Sequence, residues 1–108
     1  MSKQIIRITL FKIPSESDIE AALAKYSTLQ GTAVKDGKPY ILGVRAFKTY
    51  DDPRNNGFTV CGRTVFSSLE DMKYYDEDCD AHKELKAELK GKVAMPGGVM
   101  TVYMDGDA

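Results

Sequence analysis

Residues 5–13 read Ile-Ile-Arg-Ile-Thr-Leu-Phe-Lys-Ile, and apolar side chains occupy both phases of this predicted strand. One phase is wholly apolar through Ile6, Ile8 and Leu10, whereas the other mixes apolar residues with Arg7 and Thr9. Successive side chains of a strand point to opposite faces, and a solvated face is mostly polar. The segment therefore predicts a sheet that is partly buried on both sides.

A helix is predicted to follow this strand. Pro14 ends the strand, and Ser17-Asp18-Ile19-Glu20 fits a capping box, although Ser15 is an alternative cap. Apolar residues then recur at helical spacing on one face, namely Ile19, Ala22, Leu23, Tyr26 and Leu29. The helix is amphipathic and must pack on a sheet or on another helix.

Two further strands are predicted in the middle of the chain. Tyr40 to Tyr50 and Phe58 to Phe66 both alternate, and the turn-forming segment from Asp51 to Gly57 separates them. In the first of these strands, alternation places Ile41, Arg45 and Phe47 on the face opposite Val44. The pair should form an antiparallel hairpin.

The last third of the chain predicts a second helical region and a final strand. Ser67 to Glu70 offers another capping box, and the helix that it starts meets the acidic run Asp76–Asp80 and restarts around Cys79. After the stop signals at Gly91 and Pro96 to Gly98, the segment from Val99 to Met104 is strand-like.

The order strand, helix, strand, strand, helix, strand indicates an α+β, ferredoxin-like βαββαβ fold. Its four-stranded antiparallel sheet carries both helices on one face. Because the other face is also apolar, we expect a second copy to cover it, giving a homodimer that is a dimeric α/β barrel. We expect residues 1–108 to form this single domain.

Composition excludes several classes of function. A net charge of -1 gives no electrostatic case for nucleic acid. No apolar run approaches the ~20 residues of a membrane span, and the start lacks the apolar core of a signal peptide, so we expect a cytoplasmic protein.

Cys61 and Cys79 give no metal spacing. The run Asp76–Asp80 lacks the glycine turn and final glutamate of a calcium loop, and we expect a solvated surface rather than a metal site.

His82 is the only histidine of the chain and the first candidate for chemistry. It lies three residues before Leu85 and seven before Leu89, which places the imidazole on or beside the apolar stripe of its helix. One interpretation is a core-edge histidine that one hydrogen bond satisfies. The other is a titratable functional group aimed inward.

A family resemblance rests on several motifs in order: Arg7 to Lys12, Asn56 to Thr59, Val65 to Met72, a Tyr-Tyr pair, and Ala81-His82. Together they resemble the stress-responsive dimeric α/β-barrel family, abbreviated Dabb, from about Ile5 to Met104. The resemblance implies a ferredoxin-like homodimer. The family includes plant stress proteins and the olivetolic acid cyclase-like polyketide cyclases, which close a linear poly-β-ketone by aldol condensation without a cofactor.

The resemblance also implies roles for individual residues. His82 matches the catalytic histidine of those cyclases, where a nearby tyrosine assists it. The segment before His82 is one residue longer here and acidic, so either Tyr75 or Tyr74 matches that tyrosine. Arg7 stands where many members have a histidine, and Val60 stands where the cyclases have another. His82 would then act as the base and the tyrosine as a hydrogen-bond donor.

Four further residues are candidates for substrate binding. We expect His82 to border an internal cavity. Arg7 and Arg45 could hold a carboxylate or enolate there if their strand phases point them into it. Phe11 and Phe47 share those phases. For each arginine the alternative is an ion pair at the rim of the sheet.

Three readings of the function stay open. The first is a cofactor-free cyclase or isomerase acting on a small carbonyl-rich substrate, such as a polyketide. The second is a non-catalytic, stress-responsive homodimer that binds a small ligand. The third comes from the wider superfamily, whose haem-binding and cofactor-independent oxygenase members suggest His82 as a haem ligand, although the sequence offers no second element of such a site.

Overall fold

A computed structural model describes residues 3–107, which form six strands and three α-helices. In chain order they are β1 (Gln4–Phe11), α1 (Glu16–Thr32), β2 (Val34–Lys35), β3 (Lys38–Pro39), β4 (Ile41–Lys48), β5 (Val60–Phe66), α2 (Leu69–Glu77), α3 (Asp80–Leu89) and β6 (Val99–Gly106). None of these helices is long and apolar enough to cross a membrane.

The four long strands form one antiparallel sheet in the order β4-β5-β1-β6. This confirms the predicted ferredoxin-like topology. The short strands β2 and β3 pair separately as a small hairpin within the turn-rich segment between α1 and β4. The bend of that hairpin uses left-handed backbone at Asp36 and Gly37.

The helix starts agree only in part with the predicted caps. Helix α1 begins at Glu16, and the hydroxyl of its N-cap residue Ser15 bonds the Ser17 hydroxyl at 3.0 Å instead of a backbone N–H. The capping box expected from Ser17 is therefore wrong. Before α2, the Ser68 hydroxyl accepts from the backbone N–H of Asp71 at 3.1 Å and does cap the helix.

Strand β1 buries one face and leaves the other half-buried. Ile5, Arg7, Thr9 and Phe11 are buried beneath the helices, and the alternate residues Ile6, Ile8 and Leu10 are not fully covered. Cross-strand partners share a face, so the pairing of β1 with β5 and β6 identifies the surface that the helices do not cover. We call this surface the open face; its apolar members include Ile6, Ile8, Leu10, Phe47, Cys61, Met100, Val102 and Met104.

A bulge in β4 changes which of its side chains reach the open face. Ile41 pairs with Phe66, whereas Gly43 already pairs with Val65, so one extra residue is inserted between them. Beyond the bulge, Arg45 lies opposite Arg63, which in turn lies opposite Ile8 of the open face. The expectation that Arg45 and Phe47 share the face of Ile41 is therefore wrong, because the insertion reverses the alternation.

Candidate functional site

A cavity of about 480 Å³ lies on the helix side of the sheet, within a single chain. Its walls come from β1, α1, α3, β6 and the segment that joins the last two. Most of the wall is apolar, formed by Phe11, Leu85, Leu89, Val93, Met95 and Val99. Arg7, Thr9, Tyr26, Thr101 and His82 add polar groups. A mainly apolar pocket with a few converging polar groups is the usual form of a small-molecule site.

His82 lies near the start of α3 and is 5% exposed. Its Nδ1 atom is 2.8 Å from the backbone carbonyl oxygen of Tyr75. A carbonyl oxygen only accepts, so Nδ1 carries the proton and donates it. The other ring nitrogen, Nε2, consequently keeps its lone pair, and it forms no hydrogen bond within residues 3–107.

The environment of His82 keeps the imidazole neutral. Its ring stacks on the Tyr75 ring, with 3.8 Å between the centroids and 12° between the planes. Burial, helped by the nearby charge of Arg7, lowers the pKa of His82 to about 4, although the hydrogen bond to Tyr75 acts in the opposite direction. At neutral pH the group is an unprotonated base.

The two candidate tyrosines occupy different places. Tyr75 contacts His82 through its ring, and its hydroxyl is buried without a hydrogen-bond partner among the described residues. Burial raises the pKa of that hydroxyl, which is not among the groups that line the cavity. The Tyr74 hydroxyl instead donates to the Val34 carbonyl at 3.2 Å, away from the cavity. The structure thus brings Tyr75, and not Tyr74, to His82.

Arg7 forms the polar end of the cavity. Its Nη2 atom lies 2.9 Å from Oδ1 of Asp76, and its Nη1 donates to the Thr9 hydroxyl at 2.8 Å. The Thr9 hydroxyl also forms a hydrogen bond with the Thr101 hydroxyl at 3.0 Å. The guanidinium also lies 5.2 Å from the centre of the Tyr75 ring, and its Nε is buried without a partner among the described residues. Arg7 is therefore a fixed cation whose buried Nε donor is unused among the described residues.

Tyr26 is a site residue that the sequence analysis did not single out. It lies on α1, is 3% exposed, lines the cavity and packs edge-on against Phe11. Its ring passes directly over Gly62 of β5, where a Cβ atom would collide with the ring and its hydroxyl. Burial raises the pKa of Tyr26 to about 12, so the hydroxyl remains a donor. Helical spacing predicted only that Tyr26 faces inward.

The remaining candidates divide between the two faces of the sheet. Phe11 lines the cavity beside Arg7. Arg45 and Phe47 lie beyond the bulge on the open face and do not line the His82 cavity. The structure therefore brings His82, Tyr75, Arg7 and Phe11 together and leaves Arg45 and Phe47 apart. Within residues 3–107, no group of three or more His, Cys, Asp or Glu side chains could hold a metal ion.

Comparison with known proteins gives matches over most of the chain. Residues 5–95 match the stress responsive A/B barrel domain. A fusaristatin A biosynthesis cluster protein of Gibberella zeae is 37% identical over 103 residues, which cover 95% of this chain and 73% of that protein.

Two solved structures share the fold at low sequence identity. The hydroxynitrile lyase of Passiflora edulis superposes with a TM-score of 0.76 at 16% identity, covering 99% of this chain and 96% of that one. A dimeric ferredoxin-like protein of unknown function from Jannaschia sp. CCS1 gives a TM-score of 0.74 at 13% identity, covering 94% and 97%. At these identities the likeness shows the fold alone.

Proposed function

The chain belongs to the stress responsive A/B barrel domain family, and from its site we propose a cofactor-free cyclase or isomerase acting on a small carbonyl-rich substrate, such as a polyketide. The observation that carries this proposal is the free Nε2 of His82, a neutral base at an apolar cavity. The biosynthesis-cluster relative at 37% identity supports a role in natural-product biosynthesis.

The proposed reaction begins with proton removal. A C–H group between two carbonyls is acidic enough for a neutral imidazole, and Nε2 of His82 takes its proton. The bond from Nδ1 to the Tyr75 carbonyl fixes the tautomer and orients the ring. The stacked Tyr75 ring also holds the imidazole, and we assign Tyr75 a positioning role.

The enolate formed in this step needs hydrogen-bond donors. The Arg7 guanidinium and the Tyr26 hydroxyl both line the cavity and can donate to the developing oxyanion. In a cyclisation, the enolate carbon then attacks a second carbonyl of the same molecule and forms the new carbon–carbon bond. The resulting alkoxide recovers the proton from Nε2, which regenerates the neutral base.

Replacing His82 tests this function. We expect His82→Ala to lower turnover of a linear poly-β-ketone by about 10²–10⁴-fold, the usual contribution of a general base. Melting temperature measured alongside separates lost chemistry from lost folding. Lys83→Ala provides the matched control, because Lys83 is exposed on the same helix and does not line the cavity. Full activity per folded molecule of His82→Ala would overturn the proposal.

A second candidate function is a non-catalytic homodimer that binds a small ligand in the same cavity. The low pKa of His82 favours it, because a pKa of about 4 makes the imidazole a weak base. This alternative predicts that poly-β-ketones bind without being consumed. Product analysis by mass spectrometry distinguishes the two functions.

A further inference from the structure

The charges along α3 indicate what kind of ligand the cavity binds. This inference rests on the proposed function. We infer that the cavity takes an anionic amphiphile, whose reactive carbonyl lies at His82 and whose carboxylate or phosphate lies at Lys86 and Lys90. An apolar chain would join the two ends. The sequence analysis assigned no role to either lysine.

Helical spacing aligns these three residues. His82, Lys86 and Lys90 follow one another at intervals of four, the spacing that keeps side chains on one face of a helix. Lys90 is the C-cap residue directly after the last helical residue, Leu89. With a rise of 1.5 Å per residue, each interval advances about 6 Å along the axis, and the whole row spans about 12 Å. All three residues line the cavity.

Burial changes along this row. His82 is buried, whereas Lys86 and Lys90 are exposed. The two lysines therefore lie at the opening of the cavity, and the imidazole lies inside it.

The charged side chains that line the cavity are all cationic, although Asp76, which is outside the lining, pairs with Arg7 at 2.9 Å. Among the described residues that line it, Arg7, Lys86 and Lys90 are cationic and none is a carboxylate, although the whole chain has a net charge of -1. No ion pair holds Lys86 or Lys90 within the described part of the chain, whereas Lys92 nearby pairs with Glu88 at 3.1 Å. A cleft lined by one sign of charge raises the local concentration of the opposite ion.

The wall between the two ends is apolar. Leu85 and Leu89 come from the same helix, and Val93 and Met95 come from the segment that follows it. A small inorganic anion would leave this wall unfilled, and an uncharged hydrocarbon would leave the lysines unused. An amphiphile satisfies both parts of the cavity, because apolar surface gains free energy on burial while the anionic group stays at the wet opening.

Three ligands with the same eight-carbon chain test the inference. Isothermal titration calorimetry would compare octanoate, octyl phosphate and octanol on the wild-type protein, on Lys86→Met/Lys90→Met and on the control Lys83→Met. We expect the wild type and the control to bind at least one of the anions about tenfold or more tightly than octanol. The double variant should lose this preference and keep its affinity for octanol. The tighter anion identifies carboxylate or phosphate as the head group.

Two results would overturn the inference: equal binding of octanol and both anions to the wild type, or an anion preference that persists in the double variant. If the lysines had only a structural role, the double variant would change the melting temperature but not the ratio between the affinities for the anions and for octanol. Because binding needs no turnover, failure here leaves the His82→Ala test of the function independent.

Discussion

The protonation of His82 should be visible in the stability of the whole protein. Burial lowers its pKa from 6.5 to about 4 in the folded state, so the unfolded chain binds more protons between these values. Folding stability contributed by this group is therefore fully present above pH 6.5 and is lost as pH falls toward 4. The loss amounts to at most about 3 kcal/mol.

Thermal unfolding measured from pH 7 to pH 4 checks this prediction. The chain has one histidine, so its imidazole signals in an NMR titration are unambiguous. His82→Gln serves as the reference, because carboxylates titrate in both proteins and only the histidine is removed. If the melting temperatures of the two proteins changed with pH in the same way, the lowered pKa of His82 would be contradicted.

At the scale of single residues, the sequence predicted the direction in which a side chain points better than the residue that it contacts. The intervals from His82 to Leu85 and Leu89 correctly turned the imidazole inward. The same reasoning could not choose between Tyr75 and Tyr74, because neighbouring helix positions differ by about 100° and the break between α2 and α3 sets the final direction. The stacking of Tyr75 on His82 depends on how these two helices meet.

Among the elements, α1 and β5 meet at a contact that requires glycine. The Tyr26 ring lies over Gly62, and an added methyl group would collide with it. We expect Gly62→Ala to destabilise the fold by about 1–3 kcal/mol, the usual cost of overpacking. It should also weaken ligand binding, because Tyr26 lines the cavity.

Urea unfolding and ligand titration of Gly62→Ala would measure both effects. Gly31→Ala is the matched control, since Gly31 lies in α1 and a Cβ atom there meets nothing within 4 Å. That substitution should be neutral or stabilise the helix by about 0.5–1 kcal/mol. Equal stability of the two variants would refute the role given to Gly62.

The errors in the predicted elements are both shifts of position along the chain, by one residue in β4 and by two at the start of α1. Strict alternation placed Arg45 and Phe47 with Ile41, but the bulge before Gly43 inserts a residue and reverses the faces. A glycine inside a strand is the only local signal of such a bulge, and it does not fix the register. The capping box at Ser17 failed similarly, because α1 starts two residues earlier than that box requires.

For the whole molecule, the open face predicts self-association. Phe47, Met100, Val102 and Met104 are each between 42% and 50% exposed, and large exposed apolar patches mark interaction surfaces. We expect a homodimer built through this face, because association would bury its exposed apolar side chains. Light scattering at micromolar concentration should give about twice the 12.0 kDa of one chain.

Val102→Asp tests which surface is used. Val102 lies on the open face of the edge strand β6. A carboxylate there would be buried unpaired in the dimer, so we expect monomers. Tyr50→Asp, at a loop residue 93% exposed, should leave the dimer intact. A wild-type species of 12.0 kDa would contradict the prediction, and a dimeric Val102→Asp would exclude the open face.

Topology was predictable because each strand is bounded by its own turn or cap and both phases of β1 are apolar. A cavity beside His82 was expected, but its full lining was not, since the cavity also extends between the sheet and the segment from Gly91 to Val93. The spacing of apolar residues along the sequence does not indicate such a gap. Tyr26 and the two lysines at the opening belong to that geometry and therefore escaped the sequence analysis.

Residues of a single chain suffice to form the cavity and its polar groups, so we expect two associated chains to bind ligand independently. Ligand saturation should follow a Hill coefficient of 1, with one molecule bound per chain. A hybrid of one wild-type and one His82→Ala chain should retain half the turnover. Conversely, mixing chains inactivated at His82 with chains inactivated at Arg7 should not restore activity, because we expect each cavity to use only the side chains of its own chain.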